Sequence, residues 1–280
     1  MPETDPVPTL YDAPSAEHSD AVPVGEHAEA THEGGIHVAL KAEQLGTFYG
    51  LPITNTLVTS WVAMAILIVA AYFVGRRASM VPGKVQLMFE EVITFVRNFM
   101  TETLESEKVA SKYLPLLLTI FFFILVSNLL EFIPGVGSIG FHSAEGFTPL
   151  FRSVNTDLNV TLALAIIAVI TIEIAGIAAL GFWRYGSKFI NFSSPLNFVV
   201  GLIELVSEVG RLISYSFRLF GNIFAGEVLL GVVGFFAPYI VPVPLMSFEL
   251  FVGFIQAAVF ALLTLFFIKL AITDAHADAH

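Results

Sequence analysis

The 280 residues contain no cysteine. Disulfide frameworks, thiolate nucleophiles and cysteine-ligated metals are therefore excluded. Charge is scarce as well: Asp, Glu, Lys and Arg make up 13% of the chain, against about 25% in an average soluble domain. The few charges are unevenly placed. The formal net charge is −11, yet nine acids lie in the first 45 residues, opposed there only by Lys41. The rest of the chain is close to neutral. No basic segment followed by a short apolar run opens the sequence, so no cleavable signal peptide is expected. No glycine-rich phosphate loop ending in Lys occurs either. No nucleic-acid partner, cofactor or metal is implied.

What fills the sequence is apolar: 56% hydrophobic residues, 27 Phe and a mean hydropathy of +0.80. A water-soluble globule is excluded, and an all-α membrane protein is expected. Residues 1–45, rich in Pro, Ala, Glu, Asp and His, show no helical or alternating pattern and read as an acidic disordered tail. The tail's His18, His27, His32 and His37 are irregularly spaced, and a solvated tail is preferred to a metal site. A first span is expected over about 56–74, long enough to cross a hydrocarbon core of about 30 Å. Over 83–105, Val85, Met88, Phe89, Val92, Phe95, Val96 and Phe99 recur at helical spacing, with Lys84, Glu90, Glu91, Arg97 and Glu102 on other faces. That pattern predicts an amphipathic helix on the membrane surface.

Further spans are expected over about 113–133, ended by Pro134-Gly135, and about 157–183. The stretch from Pro195 to Phe236 has no internal Pro, and as one helix it would be about 60 Å long, twice the bilayer core, which implies strong tilt or curvature. Pro238, Pro242 and Pro244 predict a loop, and a last span follows over about 246–271. The expected fold is five transmembrane helices plus one amphipathic surface helix, the last two long helices tilted, forming a membrane domain over 46–273 with a short tail at 274–280. Outside the long helix, Arg76, Arg77, Lys84, Arg97, Lys108, Lys112, Arg184, Lys188 and Lys269 fall on one side, and only Lys41 and Arg152 on the other. The basic side is expected to be cytoplasmic, with the N-terminus external and the C-terminus cytoplasmic.

Ionisable residues inside spans carry the functional signal, because Arg, Lys or Asp at a helix centre costs about 2.5 to 3.5 kcal/mol on the lenient insertion scale. In the long helix Glu204, Ser207, Arg211, Ser214, Arg218 and Asn222 recur at intervals of three or four and draw one polar stripe. Lipid does not accept such a stripe, so it must face protein or water. Arg218 has no carboxylate one turn away in its own helix. Two readings stand: an interhelical salt bridge to Glu173 or Glu249, or a fixed positive charge that a mobile carboxylate approaches and leaves. Glu249, Gly253 and Gln256 share a face of the last span. Glu227 lies nine residues from Arg218, about 180° round the helix, and is expected to point at Glu249; two such carboxylates are suited to holding and passing a proton. Glu204 lies near the opposite end, so Arg218 separates two sets of titratable groups. Two aqueous half-paths that stop at a central cation need a carboxylate from another subunit to complete them. Glu173 reads equally as a path residue or a structural partner. Asp157 and Asn159 are expected to cap their helix rather than admit ions. His142 is expected in a solvated loop, and Phe121 to Phe123, Trp61 and Trp183 at lipid-facing or interfacial positions.

The segment Ser214-Tyr215-Ser216-Phe217-Arg218-Leu219-Phe220-Gly221-Asn222-Ile223-Phe224-Ala225-Gly226-Glu227 resembles the signature of subunit a of the F-type ATP synthase, and the resemblance extends over about residues 50–271. It implies a non-catalytic stator beside a ring of c subunits, with a b-subunit peripheral stalk and other synthase subunits as partners, in a cell (inner) membrane. Arg218 matches the family's essential arginine. Asn222, Glu227, Glu249 and Gln256 match the external half-channel, and Glu204 and Ser207, with Arg211 and Ser214 on the same stripe, the cytoplasmic one. Glu173 and Asp157 are further candidates. One departure is Glu249, where many bacterial members carry His; both are titratable. The coupling ion is expected to be the proton, the family using H⁺ or Na⁺. A self-contained secondary transporter would instead predict two similar halves and a helix broken near the midplane, and a plain membrane anchor would not need the Arg218 stripe.

Overall fold

The computed structural model describes residues 42–76, 83–133, 139–143, 146–189 and 195–277. The four tail histidines, Arg77 and the Pro134-Gly135 stop lie outside the described residues. A short hairpin comes first: β1 (Gln44–Phe48) pairs antiparallel with β2 (Leu51–Thr54). Its two turn residues, Tyr49 and Gly50, have φ of 51° and 80°, the left-handed geometry that a two-residue hairpin turn uses. The hairpin begins just inside the segment read from sequence as tail. Seven helices follow: α1 (Asn55–Arg76), α2 (Lys84–Leu104), α3 (Glu107–Glu131), α4 (Leu158–Leu180), α5 (Phe182–Phe189), α6 (Pro195–Phe236) and α7 (Pro242–Ala277). Five of them, α1, α3, α4, α6 and α7, are long and apolar enough to cross a membrane. The chain is an all-α membrane protein with five spans and an amphipathic α2.

Four helix boundaries differ from the sequence expectation, three of them for a local reason. α3 starts six residues early because Ser106 caps it, its Oγ accepting from the Val109 amide. The third span does not run on to Trp183. Gly181, at φ 85°, ends α4 by donating its amide to the Ile177 carbonyl at 2.8 Å, and the chain restarts as α5. Pro242 and Pro244 do not form a loop; they sit in the first turn of α7, where a missing amide hydrogen costs no helix bond. At its other end α7 continues past Ala271 to Ala277, into the stretch expected as a tail. The loop before α4 also contains a second hairpin, β3 (Gly140–Ser143) with β4 (Gly146–Pro149), so His142 lies on a strand paired opposite Phe147.

α6 and α7 form an antiparallel pair in which Tyr215 packs edge-on against Phe260 (centroids 4.9 Å apart) and Arg211 lies over the Phe267 ring at 4.1 Å. α4 runs antiparallel to α6, and Thr161 and Ser216 share a hydrogen bond of 3.2 Å across that seam. One buried cluster joins α3, α4, α6 and α7 around Ile124, Leu164, Tyr215 and Phe260. Another joins α2, α3, α4 and α7 around Met100, Leu117, Ile172 and Ile268. Asn128 of α3 ties the bundle together: its Nδ2 donates to the Gly253 carbonyl of α7 at 2.9 Å, and its Oδ1 accepts from Asn155 at 2.6 Å. Gly253 allows that approach, since a Cβ there would meet Asn128 at 3.1 Å.

α1 stands apart from the bundle along most of its length, and its buried residues are confined to its first turns. Those turns are pinned by polar contacts. Thr56 donates its hydroxyl to Asp157 at 2.8 Å, and the Arg152 amide donates to Thr59 at 3.1 Å. Asp157 also caps α4, accepting from the Asn159 amide at 2.9 Å. At the opposite end Lys269 of α7 reaches Glu105 at 2.7 Å, and that bond and charge hold the Glu105 carboxyl below its ordinary pKa. Arg97 pairs with Glu107 there as well.

Because Asp157 serves two bonds at once, Asp157→Ala is expected to destabilise the protein by about 1 to 2 kcal/mol, the scale of a lost N-cap, while Asp157→Asn, which keeps a capping oxygen, retains most of the stability. Thermal unfolding of the detergent-solubilised protein distinguishes the two; equal losses would contradict the capping role.

Candidate functional site

Three polar sites lie in order along α6. At the α3 C-terminal end of the bundle, Glu249 is almost fully buried, 7% exposed, and neither of its carboxylate oxygens has a hydrogen-bond partner among the described residues. Its carboxylate lies directly against Gly226 of α6, in the space that any side chain at that position would fill. A cavity of about 320 Å³ opens there, lined by Asn222, Gly226 and Glu249 together with Leu229, Leu245 and Phe248. Glu227 pairs with Arg152, from the segment before α4, at 3.4 Å. Glu131, the last residue of α3, faces Ser153, Glu227, Glu249 and Arg152. Four ionisable side chains from α3, α6, α7 and a connecting segment thus converge at one end.

Arg218 lies in the middle. It follows Arg211 by seven residues and precedes Gly226 by eight, about 10 and 12 Å along the helix axis. The guanidinium donates to Ser214 Oγ at 3.2 Å and lies over the Tyr215 ring at 5.9 Å. No carboxylate among the described residues is within ion-pairing distance of it, neither Glu173 nor Glu249 included. The face that carries it is open: Ser207, Ser214 and Asn222 are exposed and Arg218 is half-buried, whereas Tyr215, Ser216, Leu219 and Ile223 on the other side of α6 are packed against α4 and α7.

At the α3 N-terminal end, Glu204 pairs with Lys188 of α5 at 2.7 Å, and Arg211 pairs with Glu208 one turn away at 2.8 Å. Glu208 in turn is in side-chain contact with Glu173 of α4. Tyr185 of α5 fills the space left by Gly176 of α4, where any Cβ would strike its ring. Burial, and then the neighbouring Glu173, raise the pKa of the Tyr185 hydroxyl.

The sequence stripe of Glu204, Ser207, Arg211, Ser214, Arg218 and Asn222 therefore survives as one run down α6, although Arg211 is drawn inward against Phe267. Glu249, Gly253 and Gln256 do share a buried face of α7. Glu227 stands near Glu249, as expected, and it also forms an ion pair with Arg152, while the Glu249 carboxylate rests against the preceding Gly226. Three residues escaped the sequence reading. Glu131 looked like an ordinary helix end before Pro134. Glu208 sits one position off the stripe, although its spacing of four from Glu204 and three from Arg211 was a legible signal. Tyr185 lies just beyond the expected end of the third span.

The family profile described as ATP synthase A chain matches residues 57–269. Among similar proteins, "ATP synthase subunit a, sodium ion specific" of Propionigenium modestum is 33% identical, the match covering 83% of this chain and 79% of that one. "ATP synthase subunit a" of Mycobacterium bovis is 37% identical over 80% of this chain and 90% of the relative, and that of Syntrophobacter fumaroxidans 34% over 86% and 94%. With five membrane-length helices and a match spanning all of them, the chain belongs to the ATP synthase A chain family, whose members are membrane-sector subunits of the ATP synthase complex.

Proposed function

We propose that this subunit is the proton-carrying stator of a rotary F-type ATP synthase, with Arg218 as the electrostatic barrier between two offset half-channels. The observation that carries the reading is the half-buried guanidinium of Arg218, which has no carboxylate partner among the described residues and lies on the uncovered face of a membrane-spanning helix. A charge placed in a bilayer at a cost of some kcal/mol requires compensation, and an uncovered face leaves that compensation to another subunit. A ring of c subunits bearing carboxylates supplies it. Each ring carboxylate, on reaching Arg218, is favoured as the anion and gives up its proton; on leaving, it is reprotonated from the other half-channel.

The external half-channel in this proposal is the cavity at Asn222, Gly226 and Glu249, joined by Glu227 and Gln256. The cytoplasmic one runs along Glu204, Ser207, Arg211 and Ser214. Asp157 serves as a cap and lies outside both. Arg218 repels protons moving directly between the halves, so flow is tied to ring rotation, and each charge that crosses contributes about 2.3 kcal/mol per 100 mV. The basic end, with Lys188, Lys269 and Arg97, faces the cytoplasm, and a b-subunit peripheral stalk holds the chain against rotation. ATP chemistry takes place elsewhere in the complex. α6 runs unbroken for 42 residues, which does not favour a self-contained transporter built around broken helices.

Arg218→Ala is expected to abolish coupled ATP synthesis in membrane vesicles while the complex still assembles; synthesis retained at normal levels of complex would refute the barrier role. Glu249→Gln is expected to slow proton flux and change its dependence on external pH, because the titratable group of the cavity is lost. Gly226→Val, which fills the space occupied by the Glu249 carboxylate, is expected to slow flux in the same way. An unchanged flux profile in both would remove the cavity from the path.

A further inference from the structure

Where α4, α5 and α6 meet, the structure brings together more acid than the half-channel along the α6 stripe requires. Glu173, Glu204 and Glu208 contribute three carboxyl groups, and Lys188 and Arg211 two cations. Lys188 is engaged by Glu204 at 2.7 Å and Arg211 by Glu208 at 2.8 Å. Arg211 is further enclosed by the Phe267 ring of α7 at 4.1 Å. Among the described residues Glu173 has no cation of its own. Its Oε1 is buried without a hydrogen-bond partner, its neighbours are Tyr185 and Glu208, and Glu208 itself is only 11% exposed. Ionised carboxylates only accept hydrogen bonds, so two of them in side-chain contact need a proton between them. The charge count agrees: one proton brings the cluster to neutrality.

We infer that Glu173 and Glu208 hold one shared proton and form a proton-binding site on the basic side of Arg218, one helical turn from Glu204. The inference rests on the proton path proposed above and extends it onto α4. Uptake takes a proton from hydronium and leaves water; release passes it to the Glu204 carboxylate or back to water, and only O–H bonds are made or broken. A proton shared by two carboxyl groups belongs to the pair rather than to either residue. The groups facing it are Tyr185 and Lys188 from α5 and Arg211 from α6; Glu204 pairs with that Lys188, and Phe267 of α7 lies against that Arg211.

The test is the passive proton conductance of membrane vesicles carrying the assembled complex with its soluble sector removed, measured against pH on the Glu204 side. Glu173→Gln and Glu208→Gln are each expected to move the midpoint of that profile by about one pH unit or more, the scale of coupling between such groups. The double substitution is expected to move it no further, because all three variants lose the same proton. Where a Gln variant assembles poorly, Glu173→Asp, which keeps the acid but shortens its reach, is expected to produce the same shift. Profiles that superimpose on the unsubstituted complex, or single shifts that add in the double variant, would overturn the inference. Arg218→Ala measured in parallel separates the two levels. If it retains coupled synthesis, the parent reading falls; if it abolishes synthesis while the Glu173 and Glu208 profiles stay unchanged, only the shared-proton site falls.

Discussion

A guanidinium stays charged at every physiological pH, and Arg218 holds one about halfway between two polar clusters on a membrane-spanning helix. Most of what surrounds it follows from that constraint. The side of α6 that packs against α4 and α7 is sealed by Tyr215, Ser216, Leu219 and Ile223, and no carboxylate among the described residues pairs with Arg218. Glu173 is drawn to Glu208, and Glu249 to the pocket beside Gly226. Both candidate internal partners are thus held at opposite ends, and among the described residues the guanidinium meets Ser214 and the Tyr215 ring.

Keeping the two clusters apart is the task of the scaffold. The antiparallel α6–α7 pair sets their separation, because Gly226 lies against Glu249 at one end and Arg211 against Phe267 at the other. The pair is fixed in turn by Asn128 and Gly253, whose hydrogen bond makes α3 the strut behind α7. Small residues appear where helices must approach closest: Gly226 and Gly253 here, and Gly176 beneath the Tyr185 ring. In a membrane, where lipid tails are as apolar as Leu, such close contacts and interhelical hydrogen bonds hold helices together.

Much of this was legible in the sequence, and the reason is physical. Spans of apolar residues have a length dictated by the bilayer, and an intramembrane stripe of charge at intervals of three and four has few innocent explanations. What escaped were features decided by tertiary contact. The Gly181 break depends on a left-handed backbone that an apolar run does not advertise. The place of Pro242 and Pro244 inside the first turn of α7 reverses their usual meaning as loop residues. Glu227 does stand near Glu249, but its ion-pair partner is Arg152, which arrives from a connecting segment with no periodicity to read. Glu131 joined the same cluster from the end of α3 for the same reason.

The central claim of the proposal is that the open face of α6 around Arg218 meets a carboxylate-bearing partner, the proposed c ring. Because the chain has no native cysteine, single cysteines report contacts without background from this chain. Disulfide cross-linking in the assembled complex, with a second cysteine placed beside the ring subunit's mid-membrane carboxylate, is the direct measurement. Ser207→Cys, Ser214→Cys and Asn222→Cys are predicted to cross-link to the ring, and Ser216→Cys, packed against Thr161, is not. Cross-links at position 216 with none at 214 would contradict the account.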